Sequence, residues 1–311
     1  MTVVVIGDAN VDLEIRLPSG PRPETHANPD PQMFGGGSAA NTAAALARLD
    51  VPCRFVGAVG DDSFGRFAVE SLDRAAVDTT AIATTKEAPT VAVIAVVQTG
   101  GDRLIYVWPP SGGAHAALEP RAAVAALEGA SWLHVSGICL RVAPSRYALL
   151  RAMEQAQADG IPVSFDLNLR LENWGWDDGF VKAVEAAIEN SDVVLGAAAD
   201  EVGALAGSRD PIVAAESLSG GKRVVVARLG ADGAVVRSPE GAVFVPGFAV
   251  PVVDTVGAGD AFNAGFIAAR LRDVDLPESV RWGNAVAGLT VAGTGARSTP
   301  ALSDAEALLD E

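Results

Sequence analysis

Short β-branched runs alternate with alanine-rich helical runs along most of this chain, and few folds accommodate that alternation. The strand runs are Val3–Gly7, Arg54–Val59, Trp132–Ser136, Val163–Asp166, Val193–Leu195 and Arg223–Ala227. The helical runs between them are Ser38–Leu49, Phe64–Ala75, Arg121–Leu127, Pro144–Ala158 and Gly179–Glu189. The strand runs are apolar at nearly every position rather than at every second one, as in a strand buried on both faces. Strands that leave and return through a helix pair in parallel, because a crossover needs that much chain. The expectation is an α/β fold: a mostly parallel, doubly wound sheet with helices on both faces. Gly259–Leu271, Glu278–Val291 and a short tail helix close the chain, and a hairpin of Ala234–Arg237 with Ala242–Val245 finishes the sheet.

Two segments break the alternation. Val11–Leu17 alternates like a half-exposed strand and runs into the proline-rich stretch Pro18–Pro31. Thr90–Gln98 and Arg103–Trp108 flank Thr99-Gly100-Gly101-Asp102, a hairpin signal. The 311 residues therefore read as one domain, 1–311, with segments 11–34 and 88–112 forming a small antiparallel β lid. The lid either covers a site or pairs with a second subunit; its free edge invites pairing, and a homodimer through the lid is expected.

Charge narrows the partners. Asp and Glu number 39 against 23 Lys and Arg, a formal net charge of −16. So acidic a surface argues against nucleic acid and anionic membranes as partners. No apolar run approaches a membrane span, and the N-terminus enters its first strand without a basic signal region. Cys53 and Cys139 lie among apolar residues and read as buried thiols, so a cytoplasmic location is expected.

The chemistry concentrates in Asp254-Thr255-Val256-Gly257-Ala258-Gly259-Asp260-Ala261-Phe262. A glycine turn opens a helix here. The first amides of a helix have no internal partners and carry the positive end of its dipole. Gly257, Ala258 and Gly259 are thus candidates to cradle an anion, and Asp260 is placed to accept a proton. An anion cradle beside a carboxylate base suits phosphoryl transfer to an alcohol. After the first strand, Asn10 and Asp12 are placed for sugar hydroxyls, although a polar turn is the plainer reading of these two alone. Gly35-Gly36-Gly37-Ser38-Ala39-Ala40-Asn41 opens another helix, lacks the spacing and Lys of a P-loop, and is expected after the lid rather than directly after a strand. His26, His115 and His134 have no metal-ligand spacing. No Gly-x-Gly-x-x-Gly turn follows the first strand, which argues against a dinucleotide-dependent oxidoreductase.

Gly36-Gly37-x-x-x-Asn41 and Asp254-Thr-x-Gly-Ala-Gly-Asp260 resemble the two signatures of the ribokinase-like (PfkB) carbohydrate kinases. Val59-Gly60-Asp61-Asp62-x-x-Gly65, Ser136-Gly137, Asp166-x-Asn168-x-Arg170-x-x-x-Trp174, Gly230-x-x-Gly233 and Gly295-Ala296 follow the same order along essentially the whole chain. The resemblance implies ATP-dependent phosphorylation of a sugar hydroxyl with Mg²⁺. Asp260 would be the base and Gly257, Ala258 and Gly259 the anion hole. Asn10, Asp12, Gly36, Gly37, Asn41 and Arg170 would hold the sugar. Arg228, Gly230, Gly233 and Asn284 would line the nucleotide. Glu201 would hold Mg²⁺ through water, and Asp254, Val256, Gly295 and Ser298 a monovalent cation, K⁺. The chain departs from many relatives at Ala198, where they carry an Asn of the metal site, and at Ser38, where ribokinases carry a Lys. Tyr106-Val107-Trp108-Pro109 lacks the Arg that 2-keto-3-deoxygluconate kinases use to meet a carboxylate. A neutral sugar such as ribose or a ketose is the expected substrate. A nucleoside, 2-keto-3-deoxygluconate, or a non-catalytic sugar- or nucleotide-binding role are the alternatives.

Overall fold

The computed structural model describes residues 1–17, 31–97, 103–110, 112–171 and 175–310. Most of the proline-rich stretch, the Thr99–Asp102 turn and Trp174 lie outside the described residues. In chain order the main elements are β1 (Thr2–Ile6), β2 (Asn10–Arg16), β3 (Gln32–Gly36), α1 (Ser38–Arg48), β4 (Cys53–Gly60), α2 (Ser63–Arg74), β5 (Asp78–Thr85), β6 (Ala92–Val97), β7 (Arg103–Trp108), α3 (Pro120–Ala125), β8 (Ala130–Ser136), α4 (Ser145–Ala158), β9 (Val163–Asp166), α5 (Asp178–Glu189), β10 (Val193–Ala197), α6 (Pro211–Ser219), β11 (Val224–Arg228), β12 (Gly233–Ser238), β13 (Gly241–Pro246), α7 (Ala258–Arg270), α8 (Leu276–Val291) and α9 (Leu302–Leu309).

Nine strands form the main sheet in the order β13-β12-β11-β10-β9-β8-β1-β4-β5. The pairings from β5 to β11 are parallel, and β12 and β13 finish the sheet antiparallel. The alternation of β1 explains the two helical layers. Val3 and Val5 enter one core with α1, α7 and α8; Val4 and Ile6 enter the other with α4 and α5. All four are fully buried, each contributing about 1.5–3 kcal/mol relative to exposure. Chain order reverses at β1, whose neighbours are β4 and β8, and ligands gather at the carboxyl ends of strands at such a switch point.

A second, four-stranded sheet has the order β3-β2-β6-β7. Its outer ladders are antiparallel and its central β2–β6 ladder is parallel. Here the structure corrects the reading of the glycine run. Gln32–Gly36 is a strand, so Gly37 and α1 follow a strand directly. Glycines weaken a strand pattern in sequence; pairing with β2 overrides that weakness, with Asn10 opposite Gly36 and Asp12 opposite Phe34. Strand β5 (DTTAIATT) was also unreadable, because a half-exposed edge strand carries no apolar run.

Helix starts differ in a way that matters for the site. Helices α2, α5, α6 and α8 are capped by their own Asp62, Asp177, Asp210 and Asp275, whose side chains accept from first-turn amides. Helix α7 begins at Gly257 with no side-chain cap. Helix α1 takes its cap from another element: Asp8, just after β1, accepts from the amides of Ser38 (3.2 Å) and Ala39 (3.3 Å).

Candidate active site

Residues from both ends of the chain meet where β1, β3 and α7 converge. Asp260 lies in the first turn of α7 and is half-buried. Its Oδ1 accepts from Ser38 Oγ at 2.6 Å and its Oδ2 from Asn41 Nδ2 at 3.0 Å. Both donors sit on the first turn of α1, where Asp8 holds the helix start. Burial pushes the Asp260 carboxyl up to about 7; the Ser38 and Asn41 hydrogen bonds work against that rise, and Asp166 and Asp8 add to it. A carboxyl titrating near neutrality is poised to accept a proton.

The uncapped start of α7 lies beside it. Gly257 has φ of 82°, a left-handed conformation that glycine adopts without strain, and a Cβ there would run into the Ala296 carbonyl. The α7 amides have no side-chain acceptor, which leaves the positive end of the helix open to an anion.

Five of the six expected sugar residues, Asn10, Asp12, Gly36, Gly37 and Asn41, come together on the β2–β3 pair and the start of α1, whereas Arg170 lies in the loop after β9. Gly36 is packed so closely on Asp12 that any Cβ would strike that carboxylate. Burial lifts Asp12 to about 6, with Arg297 opposing the rise. Asn10 donates to Asp8 at 3.2 Å, while its buried Oδ1 has no partner among the described residues. Arg170 is exposed with φ of 49°, in a loop that also holds Asn168 at φ 38°. Glu201 shapes that loop: its two oxygens accept from the amides of Leu169 and Ala197, each at 2.8 Å. Burial raises the Glu201 carboxyl, and Asp166 adds to it. The glutamate thus fastens the β9 and β10 ends together.

Arg228, expected against a nucleotide, has its guanidinium turned beneath α7. It donates to the Gly259 carbonyl (3.0 Å), to Asn263 Oδ1 (2.9 Å) and to Asp166 Oδ1 (2.7 Å). Burial alone would lower its pKa, but Asp166 and Glu201 hold it above its ordinary value. Gly230 and Gly233 bracket the turn from β11 to β12, and Gly233 pairs with Pro246. Asn284 on α8 donates to the carbonyls of Val245 (3.2 Å) and Pro246 (3.0 Å), closing the same corner. Asp254 accepts from the amides of Val256 (3.2 Å) and Gly295 (3.1 Å), and Ser298 donates to the Gly295 carbonyl at 2.8 Å. All four expected cation-site residues therefore lie in one cluster. Among the described residues no group of three His, Cys, Asp or Glu side chains could hold a metal ion, and no helix is long and apolar enough to cross a membrane.

Two residues that sequence reasoning passed over are central here. They are Asp8 and Arg297, neither of which stands out in the sequence. Each acts through partners more than 25 positions away, for which one sequence holds no signal.

Residues 1–302 match the family model described as pfkB family carbohydrate kinase. The chain is 33% identical over 311 residues to the ATP-dependent ribose-1-phosphate kinase of Halopiger xanaduensis, covering 99% of this chain and 98% of that one. Among solved structures, the aminoimidazole riboside kinase of Salmonella enterica with aminoimidazole riboside and an ATP analogue superposes with a TM-score of 0.81 at 29% identity, covering 100% of both chains. A double mutant of the Vibrio cholerae O395 fructokinase, solved with fructose, ADP and potassium, gives a TM-score of 0.81 at 31% identity, covering 99% of this chain and 98% of that one.

Proposed function

The chain belongs to the pfkB family of carbohydrate kinases, and from that premise we propose that it moves the γ-phosphoryl group of ATP onto a hydroxyl of a small neutral sugar. Family membership makes it a phosphotransferase with an alcohol acceptor. The observation that carries the residue roles is the uncapped start of α7 beside the Asp260 carboxylate. Asp260 takes the proton of the attacking hydroxyl, and the amides of Gly257, Ala258 and Gly259 stabilise the charge spread over the phosphoryl oxygens. Asn10, Asp12, Gly36, Gly37 and Asn41 hold the sugar, and the Asn10 Oδ1, unpartnered among the described residues, is an acceptor for one of its hydroxyls; Arg170, exposed in the loop after β9, is the remaining candidate. The corner formed by Gly230, Gly233 and Asn284 lines the nucleotide, and Arg228 braces the anion hole from below.

Magnesium fits this site as the ion carried by ATP, since no protein cage exists among the described residues; it neutralises phosphate charge when bound. In this reading Glu201, whose oxygens also accept from the Leu169 and Ala197 amides, would orient the ion's waters. Asp254, Val256, Gly295 and Ser298 supply a buried carboxylate and backbone carbonyls that suit potassium, the ion held by the Vibrio cholerae fructokinase. The four-stranded sheet is the lid, and its exposed β7 pairs two chains. Two buried free thiols suit the cytoplasm.

A second reading has its own support. The Arg297 guanidinium stands at the sugar end of the site, and the Halopiger xanaduensis relative acts on ribose 1-phosphate. An acceptor that already bears one phosphate would gain from that cation. Mg-ATP-dependent ADP release separates the readings across ribose, fructose, ribose 1-phosphate, 2-keto-3-deoxygluconate, adenosine and aminoimidazole riboside. Fastest turnover of ribose or fructose supports the neutral sugar, and a preference for ribose 1-phosphate replaces it. Silence with every acceptor, while ATP still binds, would move the chain to the non-catalytic role.

A further inference from the structure

Arg297, which follows α8, reaches three elements at once: α1, α2 and the end of β3. Its Nε donates to Asn41 Oδ1 at 3.1 Å, its Nη1 to Ser71 Oγ on α2 at 2.7 Å, and its Nη2 to the Gly36 carbonyl at the end of β3 at 3.3 Å. The other end of the Asn41 amide donates to Asp260 Oδ2. A side-chain amide presents an acceptor at one end and donors at the other, while a guanidinium has donors only. With Arg297 against one end, a single orientation of Asn41 is favourable. Reversing the amide would set its NH₂ against the guanidinium and its carbonyl oxygen against the Asp260 carboxylate, two repulsive contacts.

We propose that Arg297 is a positioning residue for phosphoryl transfer, fixing the Asn41 amide so that its NH₂ always faces the catalytic carboxylate. This rests on Asp260 being the base. The consequence is that the direction of Asp260, and the Asn41 hydrogen bond that favours its ionised form, depend on a contact Asp260 does not make itself. The groups facing Asp260 are Ser38 and Asn41 of α1, Asp8 after β1, Asp166 at the end of β9, Arg228 at the end of β11 and Arg297 after α8. Arg297 is a cation held against α1, and Arg228 one held beneath α7.

The test is a double-mutant cycle on kcat with Mg-ATP and the fastest acceptor among ribose, fructose and ribose 1-phosphate, together with NMR titration of ¹³C-labelled Asp260 in the free protein. Arg297→Met should lower kcat by about 10–100-fold, the scale of a small misplacement of a reacting group, with KM for ATP little changed. It should also move the Asp260 midpoint upward. In the Arg297→Met background, Asn41→Ala should cost much less than it does alone, because the two residues act as one unit. Independent, multiplying losses in kcat, or an Asp260 midpoint that stays in place, would overturn the proposal and leave Arg297 a structural strut. Thermal unfolding identifies any variant unfolded at the assay temperature; if Arg297→Met is one, Arg297→Lys, which keeps a cation without the planar fork, carries the cycle. Asp260→Asn separates the two ideas: if it retains turnover, the base assignment falls, and if it is inactive while the cycle is additive, only the Arg297 relay falls.

Discussion

Ser38 Oγ stands 2.6 Å from Asp260 Oδ1 although 222 positions separate them in the chain. The early glycine run and the late nonapeptide are thereby one site, in which the first turn of α1 supplies donors to a carboxylate on the first turn of α7.

Removing the base tests that unit. Asp260→Asn keeps the size and most hydrogen-bonding capacity of the side chain but cannot take a proton. We expect kcat to fall by about 10²–10⁴-fold, the usual contribution of a general base, with ATP affinity retained by isothermal titration. A loss of less than tenfold would contradict the assignment.

The pH dependence has a definite sign. Asp260 titrates at about 7, so its proton-accepting form grows as pH rises through that value. The acid limb of kcat/KM should therefore bend near pH 7 and flatten above it. Stability runs the other way. Burial makes the folded state hold protons on Asp12 (about 6) and Asp260 (about 7) more tightly than an unfolded chain with ordinary carboxylates. Their contribution to stability is full below about pH 4 and declines as pH rises to about 7. Asp260→Asn should thus raise the melting temperature at pH 8 by a few degrees, measured by scanning calorimetry.

Gly257 has no room for a side chain and a φ that side chains resist. Gly257→Val should cost about 1–3 kcal/mol in denaturant unfolding and lower kcat more than it changes KM for the sugar. Equal stability and activity in this variant would show that the turn is not held as described.

The four-stranded sheet leaves Ile105, Tyr106 and Trp108 on β7 exposed at 62%, 58% and 46%. Such a row of apolar side chains on an edge strand marks a pairing surface. We expect a dimer in sedimentation velocity runs, and a monomer after Ile105→Lys. A wild-type monomer at tens of micromolar would remove the lid from the interface.

Much of this was legible in one sequence. The six strand runs of the sheet interior, from Val3–Gly7 to Arg223–Ala227, each fall on a strand to within two residues at either end, because a strand buried on both faces must be apolar throughout. Two edge strands, β7 and β13, were read as hairpin strands, but the other two were not legible: β5 is polar and half-exposed, and β3 (QMFGG) is short and ends in two glycines, so neither carries the pattern that burial imposes. At the site, Asp260 and Asn41 could be singled out because each lies in a local glycine-rich motif, whereas Asp12 taken alone reads as part of a polar turn and stood out only through the family resemblance. Asp8, Arg297 and the burial of Arg228 beneath α7 were not, since each depends on packing between segments far apart in the chain. Glu201 was placed by its neighbours in sequence, yet its grip on the Leu169 and Ala197 amides needed the fold to be seen.

The place of β1 in the sheet has a consequence for synthesis. Strand β1 is an interior one that leaves the ribosome before both of its neighbours, with β4 on one side and β8 on the other. Its second neighbour ends at Ser136, and translation at about 5–20 residues per second takes roughly 6–26 s to make the intervening 130 residues. During that interval the fully apolar Val3–Ile6 edge waits half-paired. Nascent chains stalled before Ser136 should be the ones that chaperones hold and that aggregate when chaperones are scarce.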